Sequence, residues 1–276
     1  MKRRLILTAV MLFLLPALAC SAPARILSSR RATSTPTPLP TAVPTATQPP
    51  EPSATPAPTT AAQSAVGLVD HVLQENNDAD QYEIKGVFPY LPTPVAHMET
   101  FNTAMQEFED ATLSAFRADA ATAAAAPSAS TGSFLQSRYE VLHNQNDLLS
   151  LRIWISIYMK GAAHPGSFSK TFNFDLSTGR MLALDDLFQP GADYLPLLSQ
   201  FCQAEILRRD SQFWPDGADP QPANYRSWNL TPGGLLVTFD EYQVAPYAAG
   251  PQSVMVPYSE LSGVLLPNGP ASRALP

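Results

Sequence analysis

The residues of this chain that could carry out catalysis or hold a metal are four histidines and two adjacent pairs of acids. The histidines are His71, His97, His143 and His164. No two of them are three or four residues apart, which is the spacing that places two metal ligands on one face of a helix. The sequence also lacks a phosphate-binding loop and a nucleophile motif. We therefore predict no metal site and no cofactor.

The two acid pairs are Asp185–Asp186 and Asp240–Glu241. Side chains of adjacent residues in an extended segment point to opposite faces, so neither pair can place two carboxylates around one bond. Asp186 is instead placed to cap the following turn. A glycosidase pair contributed by two distant segments leaves no trace in a single sequence. We predict no catalytic residue, with a hydrolase of that hidden kind as an alternative.

The segment 240–252 has the composition of a binding loop. Tyr242, Pro246, Tyr247 and Gly250 offer rigid aromatic surface at a low entropic cost, which suits an interface. His164, in a loop rich in small residues, is placed for a polar contact at the same kind of surface. In the alternative interpretation, Pro246 and Gly250 only shape the loop, both tyrosines pack on a sheet, and His164 bonds a backbone carbonyl. We predict that these five residues contact a partner.

The first twenty residues have the features of a lipoprotein signal peptide. Lys2, Arg3 and Arg4 precede an apolar run at 5–18, and small residues lead to Cys20. The apolar run is about 14 residues long, whereas a spanning helix needs roughly 20. We predict that Cys20 carries a lipid that anchors the protein to the outer face of the cell membrane. The alternatives are an ordinary cleaved signal peptide, which leaves the protein secreted, and an uncleaved anchor.

Residues 21–65 are predicted to form a disordered stalk. The part from 32 to 64 consists largely of Pro, Thr and Ala, with Glu51 as its one charged residue. Such a segment cannot bury enough apolar surface to offset the entropy lost on ordering. Its prolines favour an extended polyproline II conformation, which rises ~3.1 Å per residue and would reach on the order of 100 Å.

Net charge separates the remaining domain from several classes of binding protein. The part after residue 65 keeps 11 of the 17 basic residues and 23 of the 24 acidic residues, a net charge of about −12. Proteins that bind nucleic acid or anionic polymers are normally basic. We therefore predict no nucleic-acid partner, and the charge fits either a cationic partner or simple solubility.

Hydrophobic periodicity predicts an α+β fold with an antiparallel sheet and two long helices, as a single compact domain or two closely packed subdomains. The predicted helices are 97–126, with acids on its outer face, and 192–213, with Tyr194, Leu197, Leu198 and Phe201 on one face. The predicted strands are 81–91, 134–143, 148–160, 168–176, 180–184, 224–230, 235–239 and 253–256. No βαβ alternation is apparent, which favours antiparallel pairing.

Several side chains have an expected environment within these elements. The strand 148–160 alternates, so that its odd-numbered apolar residues share one face and Arg152 and Trp154 lie on the other. Cys202 is expected to be a small buried side chain without reactivity. Trp228 is expected in the core.

Motifs across the folded part resemble a known family. They are Gly161 with His164, the run 171–175, Thr178–Gly179, Leu187–Phe188, and 245–248 with Gly250. These motifs are similar to the extracytoplasmic domain of the lysozyme-sensing anti-sigma factor RsiV, a domain that also accompanies a peptidoglycan deacetylase. The resemblance implies a deacetylase-associated subdomain at 66–160 and an RsiV-like subdomain at 161–276.

The resemblance implies binding rather than catalysis, because the anti-sigma factor uses this domain to bind lysozyme. Only residues 1–4 precede the apolar run, so no cytoplasmic anti-sigma segment is expected. The first hypothesis is therefore a surface-tethered module that binds a cationic, lysozyme-like protein. The alternatives are a module that binds peptidoglycan glycans or muropeptides, and an accessory to a cell-wall hydrolase. Exposure of Trp154, Trp228 and Tyr242 would favour the glycan hypothesis.

Overall fold

The computed structural model describes residues 65–125, 127 and 132–276. The predicted signal peptide, Cys20 and the predicted stalk up to residue 64 lie outside the described residues. Within the described part of the chain, every helix is too short or too polar to span a membrane.

The elements form two sheets and four helices in the described residues. In chain order they are β1 Val69–Asn77, β2 Tyr82–Tyr90, α1 Met98–Ala124, β3 Ser133–Gln145, β4 Leu148–Tyr158, β5 Gly166–Asp175, β6 Arg180–Met181, α2 Leu195–Arg209, β7 Trp228–Thr231, β8 Gly234–Phe239, β9 Gln252–Val256, α3 Tyr258–Leu261 and α4 Pro270–Arg273. Strands β1 to β6 make a six-stranded sheet in sequence order, and β7, β8 and β9 make a small second sheet. The predicted α+β class with two long helices is confirmed.

One strand pair departs from the predicted antiparallel arrangement. β2 and β3 pair in parallel, from Tyr82 with Ser133 to Lys85 with Gln136. A parallel pair needs a long crossover connection, and the 27-residue α1 supplies it. The expectation that the chain has no βαβ unit was therefore wrong at this place. All other pairs in both sheets are antiparallel.

Helix α1 packs against one face of the six-stranded sheet. Its buried apolar residues meet the odd-numbered side chains of β4, as the alternation of that strand predicts; this core includes Phe101, Met105, Leu113, Phe116, Leu149, Leu151, Ile153 and Ile155. Glu109 is an exception to the prediction that acids lie on the outer face of α1, since it is only 4% exposed. Tyr90 donates a hydrogen bond to Glu109 at 2.8 Å, and His71 Nδ1 lies 3.0 Å from its carboxylate. These contacts tie β1 and β2 to the helix.

Helix α2 is shorter than predicted, and its predicted buried face is confirmed except at Leu197: Leu198 is buried, and Tyr194 and Phe201 pack against the core. Leu198, Cys202 and Ile206, at steps of four residues, are buried, whereas Leu197 is 38% exposed. Pro196 lies in the first turn of the helix, and a start at Leu195 brings this row onto the core. The predicted burial of Cys202 is confirmed, and burial raises the pKa of its thiol to about 12. Trp228 is also buried, as predicted.

The small sheet covers part of the second face of the large sheet, and the contact between them is polar. Ser150 donates to Asn173 Oδ1 at 2.6 Å, and Asn229 donates to Ser150 at 2.9 Å. Asn173 also donates to the carbonyl oxygen of Trp228 at 2.8 Å. All three polar side chains are buried, so the network fixes the register of one sheet on the other.

The boundary predicted between residues 160 and 161 falls in the loop between β4 and β5. These strands pair over ten positions, from Leu148 with Asp175 to Ile157 with Gly166. Both predicted subdomains therefore contribute strands to the six-stranded sheet.

Replacing Asn173 with Ala is expected to lower the free energy of unfolding by roughly 2–4 kcal/mol, because each buried polar group left without a partner costs about 1–3 kcal/mol. The groups affected are the Ser150 hydroxyl, the Trp228 carbonyl and the Leu230 amide. Urea denaturation followed by circular dichroism measures this change. Asn76→Ala, at an exposed position of β1, is the matched control and should stay within about 0.5 kcal/mol of the parent. Equal stability of both variants would contradict the role of the network.

Candidate functional site

A groove of about 810 Å³ lies on the face of the large sheet opposite α1, where the small sheet does not cover it. Residues of β1, β2, β3 and β4 line it, with Pro251 and Ser253 along the edge of the small sheet. Val72 of β1, which is 66% exposed, lies at its outer side. The parallel pairing of β2 with β3 ends at Lys85 and Gln136. Beyond that point the Ser137 hydroxyl joins the two strands: it accepts a hydrogen bond from the Val87 amide at 2.9 Å and donates one to the Val87 carbonyl oxygen at 3.3 Å.

Four cross-strand pairs of β3 and β4 cross this face. They are Phe134 with Tyr158, Gln136 with Ser156, Arg138 with Trp154, and Glu140 with Arg152. Alternate residues of a strand share a face, so all eight side chains lie on the groove side. The rings of Phe134 and Tyr158 are stacked at 5.6 Å, and the Arg138 guanidinium lies 5.6 Å from the centre of the Trp154 ring. The face therefore alternates aromatic and polar groups.

Arg152 holds this face to the small sheet. This side chain is buried, and it donates hydrogen bonds to Thr238 at 2.7 Å, to Ser253 at 3.2 Å and to Glu140 at 2.8 Å. Its guanidinium also lies 4.5 Å from the centre of the Trp154 ring. Because the cation is held by three other side chains, it fixes the half-buried indole at the inner end of the groove.

The charge of the groove differs from that of the domain. Its lining contains Lys85 and Arg138 and neither Asp nor Glu. Lys85 pairs with Glu83 at 2.6 Å, whereas Arg138 forms no ion pair with any described residue. Arg138 is thus a cation in the groove with no carboxylate of the described residues within ion-pair distance, since the neighbouring Glu140 pairs with Arg152.

The structure brings together three of the five residues predicted to contact a partner. The His164 ring stacks on Tyr247 at 3.9 Å, and the Tyr242 ring lies 5.8 Å from Tyr247. The Tyr242 hydroxyl is 3.3 Å from His164 Nε2, and Tyr242 is 55% exposed. We refer to His164, Tyr242 and Tyr247 as the ring cluster. Their role in binding stays a prediction.

Pro246 and Gly250 flank a short 3-10 helix, Tyr247–Ala249, in the loop that carries the ring cluster. Gly250 has a φ of 66°, a conformation that residues with a Cβ rarely adopt. Tyr242 also has a positive φ, of 64°. The loop is anchored by Val244 and Ala245, which are buried. Pro246 and Gly250 therefore shape the loop, while Tyr242 projects from it.

The pair Asp240–Glu241 anchors the same loop to the start of β5. The amide and hydroxyl of Ser169 both donate to Asp240, at 3.0 and 2.8 Å. Those of Ser167 donate to Glu241, at 3.0 and 2.6 Å. Ser167 and Pro251, which belongs to the loop 240–252, both line the groove, so the ring cluster stands near one end of the groove. These carboxylates bind the backbone rather than face each other across a cleft.

The other acid pair is also structural. Asp186 accepts a hydrogen bond from the Ala183 amide at 2.8 Å, which confirms the predicted cap, and pairs with Arg180 at 3.1 Å. Asp185 accepts a hydrogen bond from the hydroxyl of Tyr194. Among the described residues, no group of three His, Cys, Asp or Glu side chains is arranged to hold a metal.

Sequence reasoning missed the contribution of β3 to the site. Arg138 and Phe134 lie in a strand that was predicted, but no role was given to them. The signal that could have found them is the even-numbered face of β4, because any strand paired with it places its own alternate residues on the same face.

The fold and the C-terminal part of the chain have known relatives. A solved structure of a DUF3298 family member from Bacteroides fragilis aligns with 74% of this chain and 96% of its own, with a TM-score of 0.57 and 19% identity. At that identity the likeness shows the fold alone. Residues 185–259 match the family model described as "Protein of unknown function (DUF3298)". The resemblance to RsiV-like domains is consistent with this match and stays a hypothesis in its specific form.

Curated relatives match part of the chain. The peptidoglycan-N-acetylmuramic acid deacetylase PdaC of Bacillus subtilis is 29% identical over 132 residues, which is 46% of this chain and 28% of PdaC. From Mycobacterium tuberculosis, the immunogenic protein MPT64 is 30% identical over 38% of this chain and 47% of its own length. The esterase Rv3036c is 30% identical over 37% and 45%. The chain thus spans less than half the length of these relatives.

The protonation of Asp240 gives a test of the loop anchor. Burial raises the pKa of this carboxyl group, against the opposing effect of the Ser169 hydrogen bonds. As the pH rises, Asp240 therefore ionises at a lower pH in the unfolded chain than in the folded protein. Its contribution to stability is full below about pH 4. It is lost as the pH rises through the raised, folded-state pKa. Asp240→Asn stays neutral at every pH and keeps an acceptor oxygen for Ser169.

We expect the stability of Asp240→Asn, relative to the parent, to increase between pH 3.5 and pH 7. Urea denaturation of both proteins at several pH values measures the difference, and the other titrating groups cancel between them. Asp193→Asn, at an exposed position in the loop before α2, is the control and should show no such increase. A difference that is constant with pH would contradict the burial of an ionised Asp240.

Proposed function

We propose that this protein is an extracytoplasmic binding module that holds a cell-wall glycan in the groove over β3 and β4. The observation that carries the proposal is the row of cross-strand pairs on the groove face, in which aromatic and polar side chains alternate. Binding sites for small ligands combine apolar and aromatic walls with a few placed polar groups. A glycan chain presents the same combination, since each sugar ring has apolar faces and a hydroxyl rim.

The aromatic positions on this face of the sheet suit a chain ligand: Trp154 lines the groove, and Tyr158 lies on the same face beyond the lining. Trp154 and Tyr158 are four residues apart on β4, so they are separated by ~13 Å along the strand. Gln136 and Ser156 lie between the two aromatic positions and offer an amide and a hydroxyl for hydrogen bonds. A linear oligosaccharide can therefore contact both aromatic positions at once.

Two further observations support a glycan. PdaC, by its name, acts on peptidoglycan. Of the three aromatic residues whose exposure would favour a glycan, Trp154 lines the groove and Tyr242 is exposed, whereas Trp228 is buried. We propose binding without catalysis, because the groove lining contains no acid, histidine or cysteine that could act as a base or nucleophile. Incubation of the protein with glycan strands and with esterase substrates, followed by product analysis, would reveal any turnover.

We also propose that the module works at the outer face of the cell membrane, where a lipid on Cys20 holds it and residues 21–65 separate the folded domain from the membrane. If Cys20 is not lipidated, the protein is secreted. The basic and apolar segments before Cys20 support this placement. The mass of the N-terminal peptide of the mature protein would show the diacylglyceryl group or its absence.

Trp154→Ala is expected to weaken binding to purified peptidoglycan strands about 10-fold or more, because an aromatic anchor at the centre of a site typically contributes ~1.4 kcal/mol or more. Isothermal titration calorimetry with soluble strands measures the affinity. Trp214→Ala removes an exposed tryptophan outside the groove lining and should bind as the parent does. If both variants bind like the parent, the groove is not the glycan site.

A protein partner is the second candidate, and the ring cluster favours it. Exposed aromatic side chains held in fixed positions are typical interface anchors. The net charge of about −12 would attract a cationic, lysozyme-like protein by electrostatic steering. This candidate uses the ring cluster, whose three residues do not line the groove, so the two functions can be separated by mutation.

Calorimetry against a c-type lysozyme, at low and then at physiological salt, tests this candidate. Specific binding should persist at physiological salt and weaken about 10-fold or more in Tyr247→Ala, with Trp154→Ala as the control that leaves it unchanged. Attraction between net charges alone would disappear at physiological salt, where screening acts over ~8 Å. No binding at either salt concentration would remove the lysozyme candidate.

A further inference from the structure

The groove is free of carboxylates although the domain is strongly acidic. The part of the chain after residue 65 has about twice as many acids as bases, yet Lys85 and Arg138 are the charged residues that line the groove. Glu83 neutralises Lys85 at 2.6 Å. Arg138 is exposed and pairs with no carboxylate among the described residues. The groove therefore offers one uncompensated cation to a ligand.

The position of Arg138 restricts where the anionic group of a ligand can be. Arg138 is directly opposite Trp154 on the neighbouring strand, and its guanidinium lies 5.6 Å from the centre of the indole ring. Directly opposite residues have Cβ atoms ~4.5–5.5 Å apart. A sugar that contacts Trp154 can therefore reach Arg138 with an anion that is joined to the ring by a short link.

The chemistry of Arg138 favours a carboxylate. A guanidinium presents parallel N–H donors that match the two oxygens of a carboxylate. Gln136 and Ser156, the next pair along the two strands, have neutral donors and acceptors that suit sugar hydroxyl and acetamido groups. The same few residues thus fit a sugar ring that carries one carboxylate.

We propose that the groove selects glycan strands whose sugars carry a free carboxylate on a short link, and that Arg138 binds this carboxylate. The inference rests on the proposed function and specifies its ligand. In peptidoglycan the corresponding group is the lactyl carboxylate of N-acetylmuramic acid, which is neutral wherever a stem peptide is attached to it as an amide. The ligand is therefore the peptide-free glycan strand, and a reaction that hydrolyses that amide must supply it.

Titration of the full chain with three tetrasaccharides of equal length tests the proposal at physiological salt. The first is neutral chitotetraose, the second is the peptide-free N-acetylglucosamine–N-acetylmuramic acid tetrasaccharide, and the third is the same tetrasaccharide with its stem peptides. We expect the peptide-free form to bind about 10-fold more tightly than either of the others, a difference of roughly 1.4 kcal/mol.

Three variants assign this preference to Arg138. Arg138→Gln should lower the affinity for the peptide-free form about 10-fold, and Arg138→Lys should restore only part of it, since the charge is kept but the parallel N–H donors are lost. Arg208→Gln removes an exposed arginine of α2 and should leave the affinity unchanged. This matched control excludes a general effect of net charge on the binding of an anion.

The outcomes separate the selectivity from the function on which it rests. If the parent binds chitotetraose or the peptide-bearing form as tightly as the peptide-free form, the carboxylate selectivity is wrong and the glycan groove stands. The selectivity at Arg138 is also wrong if Arg138→Gln keeps the preference. If none of the three tetrasaccharides binds, the proposed function fails, and the inference fails with it.

Discussion

A buried arginine between the two sheets is the interaction on which the arrangement of this domain depends. Removing a guanidinium from water costs several kcal/mol unless its donors are satisfied. The two terminal nitrogens of Arg152 donate to groups of both sheets, Glu140 on β3, Thr238 on β8 and Ser253 on β9, whereas its buried Nε has no hydrogen-bond partner among the described residues. These bonds require β8 and β9 to lie over one part of β4 and leave the neighbouring part uncovered. The same side chain thus fixes the small sheet, the indole of Trp154 and the border of the groove.

The sequence predicts the parts of this fold that depend on local periodicity. The alternation of β4, the extent of α1 and the burial of Trp228 all follow from residue types within one segment. The pairing of β2 with β3 was missed because it depends on how α1 returns the chain to the sheet. The exposure of Leu197, which was predicted on the buried face of α2, depends on how the helix is rotated against the core of the small sheet. In both cases the deciding contact is distant in sequence.

The same limit applies to the candidate site. The ring cluster could be anticipated because Tyr242 and Tyr247 share one loop, and His164 lies in a loop of similar composition. The groove could not, since Arg138 and Trp154 are brought together by strand register, which hydrophobic pattern alone does not give. The Asp240–Glu241 pair was not expected to be catalytic, but its structural role could not be predicted, because the hydrogen bonds from Ser167 and Ser169 come from a distant strand.

The two candidate surfaces experience different parts of the electrostatic field of the domain. At the outer surface, the many acidic residues act together and favour cations. Within the groove, the nearest charge decides, because screening at physiological salt limits more distant charges to ~8 Å. An acidic protein can therefore bind an anionic ligand locally. The two surfaces need not compete for one partner.

The parallel crossover has a consequence for how the domain folds. Strands β3 and β4 are joined by a two-residue turn, Asn146–Asp147, in which both residues have the positive φ values of a tight hairpin. Lys85 and Gln136, by contrast, must meet across 51 residues of chain. Closing that loop costs chain entropy before any contact compensates for it. The β3–β4 hairpin therefore forms early, and the β1–β2 hairpin joins it late. Since β1 and β2 form one wall of the groove, the groove is completed only in the last stage of folding. The effects of mutations in the two hairpins on the folding rate would show this order.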